Sequence, residues 1–289
     1  MRIVVLGASG MLGNAMMRVL SNDSSCEVWG TVRDTHALKS FDSHQRARLL
    51  SRVDVLDVDT LMHALDASSP EVIINCVGVV KQMTDSEDPL RSLPINSIFP
   101  HRLAKLCSLM GCRVIHISTD CVFSGRRGMY VESEVSDAED LYGKSKFIGE
   151  VNNLDNVVTL RTSIIGHELG YPHGLVDWFL SQTEEVKGYA KAIFSGLPTI
   201  ESASVIKDYV LPRPDLHGLY HVSAAPISKL SLLQLIAAQY STTIRICPVE
   251  RPVIDRSLCG ERFRKATGYV APTWPVLVER MFDDFCGGV

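Results

Sequence analysis

The stretch Ile3-Val4-Val5-Leu6-Gly7-Ala8-Ser9-Gly10-Met11-Leu12-Gly13 decides the fold. Four consecutive apolar residues are what a strand buried on both faces requires. Beyond the run, Met11, Leu12, Ala15, Met16, Val19 and Leu20 fall on one face of a helix. A GxxGxxG turn joins the two. Its first glycine permits the tight turn, and the second lets the backbone approach a pyrophosphate. The third lets helix and strand pack closely, with helix N–H groups facing the phosphates. A glycine triplet alone is weak, but between a strand and an amphipathic helix it predicts a dinucleotide cradle. Gly7, Ser9, Gly10, Met11, Leu12 and Gly13 are its residues.

Working outward, β-rich runs alternate with helical patterns. Further strands are predicted at Glu27 to Val32, Arg52 to Val55, Val72 to Cys76, Arg113 to Ile117 and Val157 to Leu160, with a helix over Ile98 to Met110. After about Gly166 the pattern changes. Helices are expected over Leu175 to Leu180, Ile200 to Val210 (stopped by Pro212 and Pro214), Leu230 to Ala238, Leu258 to Ala266 and Trp274 to Phe282. A short strand is expected at Gly218 to Val222. The reading is an α/β chain: a Rossmann-type doubly wound parallel sheet over residues 1–165, and a smaller C-terminal substrate-binding lobe over 166–289 that returns in places to the sheet.

Composition narrows the class. Of 289 residues, 46% are apolar and 21% charged, which excludes a disordered chain. A balance of 29 Lys and Arg against 33 Asp and Glu argues against nucleic acid held by bulk electrostatics. No apolar run reaches the ~20 residues that span a bilayer, and Met1 to Gly7 contains neither a basic leader nor a cleavage site. No membrane partner and a cytoplasmic location are the expectations. The eight cysteines form no CxxC pair, so buried free thiols and no metal site are expected.

The region where an acidic residue would bind the ribose of NAD reads Thr31-Val32-Arg33-Asp34. Arg33 can pair with the 2′-phosphate of NADP, and Asp34 can bond a ribose. NADPH is favoured, with NADH left open. Asp54 is either an acceptor for the adenine amino group or a turn residue. The chemistry is concentrated in Tyr142-Gly143-Lys144-Ser145-Lys146, where a helix puts Tyr142 and Lys146 on one face. A neighbouring ammonium lowers a phenol's pKa, which tunes Tyr142 to protonate a carbonyl oxygen as hydride arrives. Ser118 and Thr119, at the end of the fifth strand, stand where doubly wound sheets bind ligands; either can hold the carbonyl.

Other groups are weaker. His217 and His221 are four apart in a turn and strand, which favours a structural role over a metal. His167, Glu168 and His173 form a polar loop cluster that would meet sugar hydroxyls or water. Trp178 and Phe179 are expected in the core, and Arg126 and Arg127 as exposed loop charges. There is no Walker A sequence, HExxH or GxSxG elbow.

With these parts assembled, the chain resembles the extended short-chain dehydrogenase/reductases, and most closely their dTDP-4-dehydrorhamnose reductase branch. The glycine turn, Asn75, Ser118-Thr119-Asp120-Cys121-Val122-Phe123-Ser124-Gly125, Tyr142 to Lys146, Arg161-Thr162-Ser163, Gly218 to Val222 and Arg256-Ser257-Leu258 carry the resemblance. It implies a catalytic trio of Thr119, Tyr142 and Lys146, acting on the C4 ketone of a nucleotide-linked 4-keto-6-deoxy sugar. It implies cofactor contacts from the glycine turn, Arg33, Asp54, Cys76, Val77, Gly78, Ser118, Tyr142 and Lys146. Substrate contacts would come from Thr119, Asp120, Cys121, Ser163 and His167. The implied partner is a nucleotide sugar used for surface polysaccharide, and a homodimer is compatible with it. Cys121 replaces the family's usual tyrosine, and Ile164-Ile165 and the loop to Gly174 replace a sugar-lining tryptophan region. A UDP-linked 2-acetamido-6-deoxy sugar therefore stands beside dTDP-4-dehydrorhamnose. Two rival readings are an epimerase or dehydratase with tightly bound NAD, and a non-catalytic NADP-binding regulatory subunit like the β subunit of methionine adenosyltransferase.

Overall fold

In the computed structural model, which describes residues 1–81, 87–169 and 174–287, the strands of the first half lie side by side. They are β1 (Arg2–Leu6), β2 (Glu27–Val32), β3 (Leu49–Ser51), β4 (Val72–Asn75), β5 (Arg113–Thr119) and β6 (Val157–Thr162). A seventh strand, β11 (Gly218–His221), returns from the second half and pairs with β6. The order is β11-β6-β5-β4-β1-β2-β3, and every neighbouring pair is parallel. The order reverses between β1 and β4, so the ligand crevice of a doubly wound sheet falls at their carboxyl ends.

The helices are α1 (Met11–Ser21), α2 (Ser43–Arg46), α3 (Val58–Ser68), α4 (Pro89–Ser92), α5 (Phe99–Met110), α6 (Leu141–Ile148), α7 (Leu175–Leu180), α8 (Thr199–Val205), α9 (Lys229–Gln239), α10 (Glu261–Thr267) and α11 (Trp274–Gly287). Strand alternation sends side chains to two cores. Ile3, Val5, Ile74, Ile115 and Val158 pack with Met16 and Leu20 of α1, Ala203 of α8 and Leu277 of α11. Val4, Leu6, Ile73 and Val114 pack on the other face with Leu61 and Leu65 of α3 and Phe99 and Leu103 of α5. Each such aliphatic side chain contributes roughly 1.5–3 kcal/mol when fully buried, and burial on both faces is why these strands carry no polar alternation.

The second half adds short strands. β7 (Ile164–Ile165) pairs with β10 (Leu197–Pro198), and β8 (Glu185–Tyr189) with β13 (Arg245–Val249). β9 (Ala192–Phe194) lies between β12 (Ile227–Ser228) and β14 (Ile254–Asp255).

Several expectations are corrected. The third strand is Leu49–Ser51, not residues 52–55, because Arg52 turns into the left-handed region at φ 60° and ends it. Val53 is still buried, which produced the apolar signal. The helix expected from Ile98 is preceded by α4 and a π-helical segment, Leu93–Ile98. Pro94 removes a backbone donor there, and the wider i→i+5 pattern accommodates the loss. A π-helical segment also completes α8, over Ile206–Val210. Leu258 is not helical; it bridges Tyr130, and α10 starts only after Gly260. α11 runs on to Gly287, beyond Phe282. Phe179 is in the core, but Trp178 is 41% exposed. Of the cysteines only Cys107 and Cys112 are buried, and Cys286 is exposed.

The glycine turn gives a stability test. A Cβ on Gly13 would lie 2.1 Å from the Gly7 carbonyl oxygen and 2.8 Å from its carbon, whereas one on Gly10 meets only that oxygen, at 3.5 Å. Backbone cannot yield cheaply, so Gly13→Ala should lower the unfolding free energy in urea by roughly 3 kcal/mol or prevent folding. Gly10→Ala should cost less than about 1 kcal/mol.

Candidate active site

The cradle forms where β1 becomes α1. Gly7 takes φ +81°, a conformation that only glycine adopts without strain. The N–H of Gly10 donates to the Gly7 carbonyl at 3.1 Å, and the N–H of Ala8 to Thr31 O at 2.9 Å. α1 has no side-chain N-cap, so its first-turn N–H groups are offered to a ligand. The segment after β4 forms the opposite wall. A Cβ on Gly7 would lie 3.1 Å from the Val77 side chain, and one on Gly78 would lie 3.9 Å from Lys146 Nζ. Cys76, Val77 and Gly78 thus stand between the glycine turn and the Tyr142 helix. Both observations fit a dinucleotide: a cradle that added side chains would fill, and a helix end without a cap.

At the end of β2, Arg33 is exposed and has no ion-pair partner among the described residues. The Asp34 carboxylate instead accepts the N–H of His36 at 2.8 Å. Asp54 is not at a strand end. It is exposed in the turn before α3, where its carboxylate accepts the N–H of Leu56 at 2.9 Å.

Tyr142 and Lys146 project from α6 toward the end of β5. Asp140 caps the helix, accepting Gly143 N–H at 2.8 Å, and is itself held by Lys81 Nζ at 2.6 Å. Gly143 lets α6 press on the strand end, since a Cβ there would lie 2.2 Å from Cys121 O. The Thr119 hydroxyl stands beside the Tyr142 phenol; it donates to Asp120 Oδ1 at 3.2 Å and accepts Cys121 N–H at 3.1 Å. Lys146 Nζ donates to Ile117 O at 2.8 Å.

The electrostatics differ from the sequence expectation. Burial, followed by Cys121, holds the Tyr142 phenol above its ordinary pKa, so it is a protonated donor near neutrality. The same dry site acts on Lys146, with burial pushing it down to about 8. Burial raises the Asp120 carboxyl against the opposing charges of Arg256 and Lys229. Burial and Asp120 push the Cys121 thiol up to about 12, and burial raises Cys76 to about 12. Both thiols are neutral groups rather than nucleophiles.

Other candidates fall in different places. Ser118 points away from Thr119, and its hydroxyl donates to Glu150 at 2.7 Å, so it is not free to hold a carbonyl. Ser163 follows β6, with its carbonyl taken by Leu197 N–H at 2.9 Å. His167 is engaged within the fold. Its Nδ1–H donates to Asp177, its Nε2 accepts the Tyr240 hydroxyl at 2.8 Å, and its ring stacks on Phe285. The Glu168 carboxylate accepts Gly174 N–H at 3.0 Å, and His173 lies outside the described residues. His217 sits 3.8 Å from Asp155 at the surface, while His221 is buried against Arg161 and held down to about 3 by burial and that cation. Arg126 and Arg127 pair with Glu139 and Glu134.

Two residues were missed. Asn96, in the π-helical segment, accepts Val79 N–H at 2.9 Å and donates to Val79 O and Ser145 Oγ at 3.0 and 3.1 Å. It pins the wall opposite Lys146. The other is Glu150, which the i, i+4, i+8 spacing from Tyr142 and Lys146 would have signalled.

Comparison with known proteins agrees with this geometry. A family model described as RmlD substrate binding domain matches residues 1–285. The methionine adenosyltransferase 2 subunit beta of Pongo abelii is 30% identical over 172 residues, 58% of this chain and 48% of that protein. The dTDP-4-dehydrorhamnose reductase of Mycolicibacterium smegmatis is 29% identical over 151 residues, 52% of this chain and 40% of the relative. The match thus spans less than half the length of either relative. Among solved structures, a dTDP-4-dehydrorhamnose reductase from Bacillus anthracis in complex with NADP superposes with a TM-score of 0.79 at 23% identity, over 98% of this chain and 99% of that one. A dTDP-glucose 4,6-dehydratase from the same organism in complex with NAD gives 0.79 at 15% identity, over 99% and 97%. These two likenesses establish the fold alone.

The depressed Lys146 implies a cost to stability. Near pH 7 the ammonium is charged in both folded and unfolded chains, and the folded chain bears its desolvation, on the order of 3 kcal/mol. Between about 8 and the ordinary lysine value, the unfolded chain binds more protons, so stability rises with pH. Lys146→Met should therefore raise the unfolding midpoint at pH 7, with an advantage that shrinks as the pH passes 8. Chemical denaturation at pH 7, 8.5 and 10 measures this, and a constant difference would refute it.

Proposed function

This chain belongs to the RmlD substrate binding domain family, and from that premise we propose that it is an NADPH-dependent oxidoreductase. Its substrate is the C4 ketone of a nucleotide-linked 4-keto-6-deoxy sugar. The observation that carries the reading is the meeting of Thr119, Tyr142 and Lys146 at the carboxyl end of β5, facing Gly78 and the glycine turn. Residues 1–165 hold the dinucleotide and 166–289 mainly the sugar nucleotide. Arg33, exposed and without an ion-pair partner among the described residues, favours the 2′-phosphate of NADPH over NADH.

Bound NADPH supplies the hydride. Thr119 and Tyr142 hydrogen-bond the C4 oxygen, and Tyr142, kept protonated by its dry surroundings, gives it the proton. Lys146 orients the nicotinamide ribose from its anchor on Ile117 O. Asp120 and Cys121 line the sugar end. A neutral thiol where the family carries tyrosine leaves more room there, which suits a UDP-linked 2-acetamido sugar as well as dTDP-4-dehydrorhamnose. The product would serve surface polysaccharide synthesis.

The matched beta subunits of methionine adenosyltransferase 2 support a second reading, a non-catalytic NADP-binding subunit, and turnover distinguishes them. NADPH oxidation would be followed with dTDP-, UDP- and GDP-4-keto-6-deoxy sugars, with and without a 2-acetamido group. Tyr142→Phe should bind NADPH nearly as the wild type does and lose at least ~10²-fold in turnover. Near-wild-type turnover in that variant overturns the mechanism. Tight NADPH binding with no turnover on any sugar favours the regulatory reading, and NAD retained through purification favours an epimerase or dehydratase.

A further inference from the structure

Thr119 has one proton to give, and the fold commits it elsewhere. A threonine hydroxyl donates once and accepts twice. Here Oγ1 donates to Asp120 Oδ1 at 3.2 Å and accepts the N–H of Cys121 at 3.1 Å, as the cap of the short turn Asp120–Val122. One lone pair is left over. A ketone oxygen also carries only lone pairs, so it gains nothing from a hydroxyl in this state. The reductase reading asks Thr119 to donate to that oxygen, and Asp120, buried at 7% exposure, competes for the same proton.

The state of the carboxyl decides the competition. As a carboxylate, Asp120 is the stronger acceptor and keeps the proton. Once protonated it becomes a donor, and its O–H can fill the remaining lone pair of Thr119. The hydroxyl then accepts from Cys121 and Asp120 and has its own proton free for the ketone. We propose that Asp120 is a positioning residue that sets the direction of the Thr119 hydroxyl, and that the productive state is the one in which Asp120 carries a proton. The proposal rests on the reductase reading. No atom leaves Asp120 or Thr119 in the reaction. Hydride adds to C4, the carbonyl π pair moves to oxygen, and that oxygen takes the phenol proton of Tyr142 while Thr119 stabilises it by a hydrogen bond.

The groups around the carboxyl come from four elements. The Cys121 thiol in the same turn and the Tyr142 phenol from α6 are neutral. Arg256, just after β14 and anchored on Phe123 O at 2.7 Å, and Lys229, which opens α9, favour the carboxylate. Burial outweighs the two cations, so Asp120 takes up its proton above the ordinary aspartate range.

The test reads kcat at saturating sugar and NADPH across pH. In the wild type kcat should fall roughly tenfold as the pH rises through the Asp120 titration, because the carboxylate withdraws the Thr119 proton. That limb should be absent in Asp120→Asn, whose amide N–H donates without titrating. It should be equally absent in Thr119→Val, which keeps Asp120 but has no hydroxyl to turn. A merely structural role for Asp120 leaves the limb in Thr119→Val. No limb in the wild type, or a limb that persists in either variant, overturns the proposal. A second measurement needs no turnover. In protein with aspartate labelled with 13C at Cγ, the Asp120 resonance is identified by its loss in Asp120→Asn and titrated. In Thr119→Val the midpoint should rise by roughly half to one pH unit, because a donor that favours the carboxylate is gone. An unchanged or lowered midpoint overturns the proposal. Absence of turnover with every sugar would refute the reductase reading, and the titration would still decide whether Asp120 holds the hydroxyl.

Discussion

Three consecutive residues at the end of β5 hold the working face of the molecule. The Ile117 carbonyl binds Lys146, the Ser118 hydroxyl binds Glu150, and the Thr119 hydroxyl stands beside Tyr142. A strand presents successive side chains to opposite faces, while a helix presents every fourth residue to one face. The grip uses a backbone carbonyl and two successive side chains of the strand, met by Lys146 and Tyr142 on α6 and by Glu150 just past its Gly149 cap. β5 is central in the sheet, paired with β4 and β6 along its length. The candidate site is therefore anchored on a central strand rather than on a loop.

That rigidity comes with buried charge. Lys146, Asp120, Glu150 and Arg161 are all below 8% exposed, and buried His116 has an Nε2 with no hydrogen-bond partner among the described residues. An unpaired buried polar atom costs about 1–3 kcal/mol. The two aliphatic cores, on opposite faces of the sheet, are large enough to offset such costs. This is the usual relation between a stable scaffold and a strained site.

The second half of the chain completes the site rather than standing apart from it. Arg256 donates to the Phe123 carbonyl at 2.7 Å, and its charge and that of Lys229 act on Asp120. Phe123 and Tyr130 stack at 4.1 Å, and the His221 ring donates to Tyr130 O at 3.0 Å. These contacts shape the segment that follows β5. Reductase and dehydratase structures superpose on this chain equally well. The backbone by itself therefore does not select a reaction.

Local pattern was enough to read the sheet. β1 and β4 announce themselves as apolar runs, and the glycine turn fixes where the chain bends, because these signals depend only on near neighbours. The Tyr142 and Lys146 pair is local too, being one helical turn apart. Tertiary structure decided what distance in sequence conceals. Arg52 ended β3 early through a backbone angle that no apolar pattern encodes. His167 was committed to Asp177 and Tyr240, residues 10 and 73 positions away. The phenol's pKa was set by how dry the site is rather than by the lysine beside it. Glu150 acquired its meaning only when β5 and β6 brought Ser118 and Arg161 against it. Covalent neighbours set conformation, whereas burial and electrostatics depend on everything the fold packs around a group, and that environment does not exist until the chain is folded.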